Sequence, residues 1–146
     1  MNSINKSTET NRNNIFSIWI SWAPYMHSIF RIISAILFMI FGSIKLFAFP
    51  VGVPPMGGTV PLFSQSGAAG ILEVFGGLLI LLGLYTRPVA FILSGEMAVA
   101  YFQFHAPRGL WPHLNNGMPA VLFCFIWLFF SAAGSGQWSV DSWRKK

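Results

Sequence analysis

Four apolar segments, each close to the length of a membrane-crossing helix, alternate with polar or proline-rich segments along the chain. The predicted spans cover residues 27–49, 67–84, 88–104 and 118–133. A helix rises about 1.5 Å per residue, so segments of this length fit a hydrocarbon core about 30 Å thick. Prolines and glycines crowd the segment after the first span, which no ordinary helix tolerates. The pattern therefore predicts four transmembrane helices joined by loops.

The segment before the first span has two parts of opposite polarity. Residues 1–14 are almost entirely polar and cannot bury enough apolar surface to offset their ordering entropy, which predicts a disordered cytoplasmic tail. Residues 15–22 are apolar and aromatic but short, and Pro24 follows them, so we expect them to lie at the membrane interface. The predicted fold is all-α, a transmembrane four-helix bundle over residues 15–143 with a short N-terminal interfacial segment.

Composition supports a membrane protein and excludes several other classes. Of the 146 residues, 54% are hydrophobic and only 9% are charged, which is far too few charges for a soluble domain of this size. The net charge is +5, but the basic residues form no stripe, so we expect no nucleic-acid partner. Cys124 is the single cysteine, which excludes an intrachain disulfide or a redox-active thiol pair.

The distribution of positive charge predicts the orientation. With four spans, both termini and the turn at residue 87 share one side of the membrane. That side carries seven basic residues, Lys6, Arg12, Arg31, Arg87, Arg144, Lys145 and Lys146. The opposite side carries Arg108 and, at a helix end, Lys45. By the positive-inside rule both termini are cytoplasmic, which predicts a multi-pass protein of the bacterial plasma membrane.

Lys45, Glu73 and Glu96 lie in the interior of the predicted spans, and each needs a partner, a proton or water there. Lys45 and Glu73 fall at similar depths near one end of their spans, which predicts that they pair. At about 4 Å and an effective dielectric constant of about 20, their attraction is about 4 kcal/mol. Two interpretations of the pair stay open: it fixes helix register, or it belongs to a ligand or proton site.

Glu96 is predicted near mid-membrane with no cation at its level. Because lipid disfavours the charged carboxylate, this residue is the strongest candidate for proton chemistry. His105 and His113 both lie in one predicted loop, whereas haem between helices takes histidines from facing spans, so we expect no metal site.

An ordered set of short motifs resembles the DoxX family of small bacterial four-helix membrane proteins. The set extends over about residues 27–143. It comprises Gly42-Ser43-Ile44-Lys45-Leu46, Leu72-Glu73-Val74-Phe75-Gly76-Gly77, Gly83-Leu84-Tyr85-Thr86-Arg87, Glu96-Met97, Ala100-Tyr101, His105-Ala106-Pro107, Trp111-Pro112, Asn116-Gly117, Trp138-Ser139 and Asp141. The resemblance implies a four-helix bundle in the plasma membrane, in a family named for subunits linked with quinone-coupled thiosulfate oxidation.

Together the residues and the resemblance predict an accessory subunit of a quinone-linked oxidoreductase complex, at most a subunit of an enzyme. The predicted site is a cavity that holds a quinone-like headgroup. Its catalytic residues are Glu96 as proton carrier, Lys45 to polarise a carbonyl oxygen and Glu73 to orient Lys45. The predicted quinone-binding residues are Gln103, His105 and Trp111.

Two other functions are compatible with the sequence. A structural or scaffolding membrane protein would use the charges only for assembly. A proton-coupled transporter of a small solute is less favoured, since four spans are few and no broken-helix pair is visible. The expected partners are the lipid bilayer and either a redox subunit or further copies of this chain.

Overall fold

The computed structural model describes residues 2–54 and 57–144, with side chains described from residue 17 onward. Within these ranges the chain is all-helical, and its one extended pairing is an isolated bridge between Val53 and Gly58. The all-α part of the predicted fold is therefore confirmed.

Four long helices and one short helix follow one another along the chain. Their bounds are α1, Asn2–Phe47; α2, Gln65–Leu82; α3, Thr86–Ala100; α4, Met118–Ala133; and α5, Val140–Trp143. Each long helix overlaps one of the predicted spans, and α4 has the predicted bounds. The left-handed backbone of Gly83 ends α2, and Gly134 ends α4, as glycines at helix C-termini commonly do.

Two π-helical turns widen the helices at the end of the bundle that holds the loop after α1. One lies inside α2 at Leu72–Gly76, and the other extends α3 over Tyr101–His105. A short 3-10 turn, Ala106–Arg108, completes α3. Turns of this kind are frequent at functional sites, because the extra residue re-aims the side chains around it.

The prediction that Pro24 ends a separate interfacial segment is wrong, because α1 runs through Pro24 without a break. Proline removes one backbone N–H donor, so the helix loses a single main-chain hydrogen bond there. The Ser28 hydroxyl donates to the Pro24 carbonyl oxygen at 3.1 Å one turn later. The backbone of residues 2–14 is helical as well; the disorder expected of this tail stays a prediction.

The helices pack as two pairs, α1 against α2 and α3 against α4, which contact each other along a common core. That core is almost entirely aromatic and aliphatic. Its buried members are Ala35, Phe38, Ile80, Ala90, Leu93, Met97, Tyr101, Ala120, Phe123, Trp127 and Phe130.

The outer surface is also apolar. Large side chains such as Ile33, Leu37, Phe91, Leu122 and Phe125 are exposed on α1, α3 and α4. Soluble monomers rarely expose contiguous apolar surface on this scale, whereas a lipid solvent requires it. Ser17–Phe47 and Gln65–Leu82 are long and apolar enough to cross a bilayer, and α4 is apolar but shorter.

Candidate functional site

Lys45 and Glu73 form an ion pair between α1 and α2. Lys45 Nζ donates to Glu73 Oε1 at 2.6 Å. The Glu73 side chain is 2% exposed and the Lys45 side chain 27% exposed, so the pair is largely removed from solvent. The predicted pairing is thus confirmed. A buried charge pair of this kind offsets the cost of placing two ions in an apolar environment.

A close approach of the two helices makes this pair possible, and Gly42 permits the approach. A Cβ atom at Gly42 would lie 2.7 Å from Val74 Cγ2 and 2.9 Å from both Glu73 Cβ and the Gly70 carbonyl oxygen. Such distances do not occur between real side chains, so only glycine fits here. Small residues allow helix backbones to approach closely in membranes, and the approach brings Glu73 within reach of Lys45.

Glu73 keeps one oxygen free for a further interaction. Oε1 accepts from Lys45, while Oε2 is buried and has no hydrogen-bond partner among the described residues. Leaving a buried polar atom unsatisfied costs about 1–3 kcal/mol. A water or ligand donor at Oε2 would recover that free energy.

A pocket of about 220 Å³ opens beside the ion pair and is called the polar pocket below. Four polar residues line it, namely Lys45, Glu73, His105 and Asn116. The rest of the lining is apolar and consists mainly of Phe41, Met97, Ala100, Pro119, Ala120 and Phe123. The two π-helical turns supply Glu73 and His105. All four long helices or their extensions therefore contribute to one small cavity.

The hydrogen bond that His105 makes fixes which of its ring nitrogens carries the proton. His105 Nδ1 lies 3.0 Å from the carbonyl oxygen of Asn115. A carbonyl oxygen only accepts, so Nδ1 is the donor, and in the neutral ring Nε2 is an acceptor. The polar pocket thus combines an ammonium donor, a carboxylate oxygen and an imidazole acceptor.

Glu96 does not line the polar pocket, although the sequence predicts one cavity that includes it. It lies in a groove between α2 and α3, called the Glu96 groove, lined also by Gln65, Leu72, Phe104 and neighbouring apolar residues. Both of its carboxyl oxygens are buried and lack hydrogen-bond partners within the described part of the chain. Glu96 is still near enough to Glu73 and Lys45 to interact electrostatically with both. Ala100 borders the groove and the pocket alike.

Gln103 and Trp111, the other predicted quinone-binding residues, also lie outside the polar pocket. Gln103 is exposed and accepts a hydrogen bond at Oε1 from the Gln65 side chain. Trp111 is exposed and lines a separate apolar cavity with Met97 and Tyr101. Of the six predicted site residues, the pocket brings together Lys45, Glu73 and His105.

Arg31, which in the sequence stands out only as a positive charge, is an important buried residue. It is fully buried at the opposite end of the bundle from Lys45. Nε donates to the Ser135 carbonyl oxygen at 2.8 Å and Nη1 to that of Leu81 at 2.7 Å. Further bonds go to the carbonyl oxygens of Ile80 and Trp138. The guanidinium therefore caps the C-terminus of α2 and ties the chain after α4 to α1.

Asp141, at the start of α5, caps the N-terminus of α3 near Arg31. Its Oδ1 accepts from the Tyr85 backbone N–H and its Oδ2 from that of Thr86, both at 2.9 Å. The Asp141 backbone N–H donates to the Gly83 carbonyl oxygen at 2.9 Å. The positive end of the helix dipole also stabilises a carboxylate at this position. Both partners of this contact belong to the family motifs quoted above, Gly83-Leu84-Tyr85-Thr86-Arg87 and Asp141. No local sequence pattern predicts that they meet.

The described residues form an all-helical fold with an apolar exterior, and inside it Lys45 pairs with Glu73 and Arg31 caps a helix; these are the features of a membrane protein. The sequence model of the DoxX family matches residues 26–106. An uncharacterized protein from Haemophilus influenzae is 37% identical over 126 residues, which cover 83% of this chain and 92% of that protein. The chain therefore belongs to the DoxX family. No solved structure matches it significantly.

Proposed function

We propose that this protein is an accessory subunit of a membrane oxidoreductase complex and that its polar pocket binds the headgroup of a quinone. The observation that carries the proposal is the Lys45–Glu73 pair, with its unpartnered Oε2, which shares a pocket with His105 whose lining is otherwise mostly apolar and aromatic. Clefts with mostly apolar walls and a few converging polar groups are the usual form of small-molecule sites.

The residues of the polar pocket fit a quinone ring in size and chemistry. Pockets that enclose drug-sized ligands measure roughly 300–1,000 Å³, so about 220 Å³ suits a small headgroup. Lys45 donates hydrogen bonds, as a carbonyl oxygen requires, while Glu73 Oε2 and His105 Nε2 accept from a hydroxyl. Phe41 and Phe123 offer aromatic surface to a flat ring.

Each polar residue then has a distinct task. Glu73 Oε1 holds Lys45 in place, and Lys45 polarises a carbonyl oxygen of the ligand. His105, oriented by the Asn115 carbonyl oxygen, exchanges a proton at Nε2. Glu96 carries protons between the Glu96 groove and Glu73, with water bridging past Ala100. A bound quinone supplies two-electron, two-proton redox chemistry, and a partner subunit supplies or takes up the electrons.

We further propose that α1 to α4 all cross the bacterial plasma membrane, with both termini in the cytoplasm. Two features support this arrangement. Arg31 and Arg87 lie at the end of the bundle that also holds α5, while Arg108 lies at the other end. The exposed apolar surface on α3 and α4 extends the surface of the two longer helices, so lipid would surround all four.

A scaffolding function is the second candidate, and the packing around Gly42 favours it. The ion pair lies next to the close approach of α1 and α2 at Gly42, so it would fix their register even with an empty pocket. On this alternative Glu73 Oε2 would bind only water. The two candidates differ in whether a ligand is recovered with the protein.

Extraction of lipid-soluble molecules from protein purified out of native membranes tests the proposal. We expect quinone in stoichiometric amounts with the wild type, at least about tenfold less with Lys45→Met, and an unchanged amount with the control Arg108→Met. Arg108 is exposed and lies outside the pocket. Glu96→Gln should retain quinone but slow quinone-dependent oxidation in membranes. Absence of quinone from the wild type, together with an unaffected Glu96→Gln strain, would leave the scaffolding function.

A further inference from the structure

A second cavity adjoins the polar pocket on the far side of Met97 and is called the apolar cavity below. It measures about 360 Å³ and lies between α3, α4 and the segment that holds Leu110 and Trp111. Met97 lines both this cavity and the polar pocket. Methionine is unbranched and adapts readily to its neighbours, so this partition can shift without disturbing the helices.

The walls of the apolar cavity offer almost nothing to a polar ligand. Aliphatic and aromatic side chains form most of the lining, and the Tyr101 hydroxyl is already used as a donor to the Leu110 carbonyl oxygen. That hydrogen bond holds residues 110–112 in place as one wall of the cavity. The cavity is therefore shaped for a hydrocarbon.

The mouth of the apolar cavity opens on the surface that faces lipid. Phe102, Trp111 and Phe125 line the cavity and are all about two-thirds exposed. Trp111 is the kind of residue that lies at the membrane interface. The hydrocarbon chain of a membrane-soluble molecule would enter the cavity from the bilayer at this point.

We propose that the apolar cavity holds the prenyl chain of the ligand whose headgroup occupies the polar pocket. The inference rests on the proposed function and deepens it, because it makes a prenylated quinone, rather than a chain-free quinone, the substrate class. A chain that moves out of lipid gains no hydrophobic free energy. Selection comes instead from the covalent link to a bound headgroup, which raises the local concentration of the prenyl chain at the cavity.

Cys124 provides a direct reporter for this proposal. It lines the apolar cavity and is the single cysteine of the chain, so a thiol reagent labels one known position. The experiment measures the rate at which a lipophilic maleimide labels the full-length protein in phosphatidylcholine nanodiscs. The ligands are a fully substituted benzoquinone with a prenyl chain and the same ring without the chain. Full substitution prevents the ring from adding to the thiol.

The prenylated quinone at ten times its dissociation constant should slow labelling about tenfold, because about one-eleventh of the protein remains free. The chain-free ring should bind without slowing it. Lys45→Met should remove the protection, measured against the labelling rate of the same variant without ligand. Equal labelling with and without the prenylated quinone overturns the proposal. So does full protection of the Lys45→Met variant, because the cavity would then hold chains independently of the headgroup.

A cavity-filling variant gives an independent measurement. Ala98 lines the apolar cavity, whereas the exposed Ala132 does not. In Ala98→Phe we expect the prenylated quinone to lose its affinity advantage over the chain-free ring, and in Ala132→Phe we expect it to keep that advantage. An unchanged advantage in a folded Ala98→Phe protein contradicts the proposal. Failure of both quinones to bind the wild type by calorimetry contradicts the proposed function itself; binding without protection of Cys124 contradicts only the chain site.

Discussion

Lys45 and Glu73 stabilise the helix pair only together, because either one alone would be an uncompensated ion against apolar neighbours. Breaking a buried pair by removing one partner typically costs about 3–5 kcal/mol, whereas replacing both with apolar residues is often neutral. The 2.6 Å contact and the low exposure of Glu73 place this pair in that class. Single and double variants can therefore separate the contribution of the ion pair to stability from its contribution to ligand binding.

Lys45→Met and Glu73→Met should each lower the thermal stability of the detergent-solubilised protein, and the double variant should recover most of the loss. The reason is that only the single variants leave a buried charge without its partner. Unfolding curves of all four proteins give the coupling energy. Quinone content measured on the same samples should be low in all three variants. If the two losses simply add, the ion pair does not contribute to the fold.

Arg31→Met should destabilise the protein by several kcal/mol, since hydrogen bonds to charged groups contribute about 1.5–3 kcal/mol each and this guanidinium makes four. Arg31→Lys keeps the charge but not the fork of donors, so we expect it to restore little. Arg108→Met removes an equal charge from an exposed site and serves as the control. Similar unfolding temperatures for the Arg31 and Arg108 variants would contradict this account.

The position of a residue along its span explains which parts of the site could be predicted. Lys45 and Glu73 lie at similar distances from the ends of adjacent spans, so helical rise alone predicts their pairing. The partners of Arg31 are backbone carbonyl oxygens, which every residue carries, and sequence cannot distinguish one from another. Glu96 lies outside the polar pocket, because its position along the sequence does not say which face of α3 meets α2; its depth in the membrane stays a prediction.

At the scale of the helices, the close packing of α1 on α2 depends on Gly42. Gly42→Ala should lower stability by about 1–3 kcal/mol, the usual cost of overpacking, and should also weaken quinone binding by moving Glu73 from Lys45. Gly95→Ala is the matched control, since nothing lies within 4 Å of a Cβ there. That variant should be unchanged or slightly more stable, because alanine favours helix. Equal losses in the two variants would exclude a specific effect of packing at Gly42.

Helix positions were largely predictable, because long apolar runs ended by glycine or proline have few alternative structures. Two features of the helices were not. The continuation of α1 through Pro24 depends on the rest of the helix, which outweighs the loss of one hydrogen bond. The π-helical turns at residues 72–76 and 101–105 depend on how α2 and α3 pack around the polar pocket, and neither segment has a distinctive composition.

The two ends of the helix bundle differ in structure, and this difference links the fold to the proposed function. Arg31 and Asp141 tie together the end of the bundle that holds α5, where side chains meet backbone groups that no ligand can replace. The opposite end holds the ion pair, the two π-helical turns and the polar pocket. One end is therefore held together by hydrogen bonds from side chains to backbone groups, and the other holds the ion pair with its unpartnered Glu73 Oε2 beside the polar pocket.

Labelling of introduced cysteines tests which end of the bundle faces the cytoplasm. In a Cys124→Ser background, Arg108→Cys should react with a membrane-impermeant maleimide on intact cells, while Arg87→Cys should react only after the cells are opened. The expectation follows from the positive-inside rule applied to the basic residues of both ends. It places the polar pocket in the outer half of the membrane, so protons exchanged at His105 would come from the outer side. Labelling of Arg87→Cys in intact cells would reverse the orientation and with it the direction of proton exchange, while the pocket itself would stand.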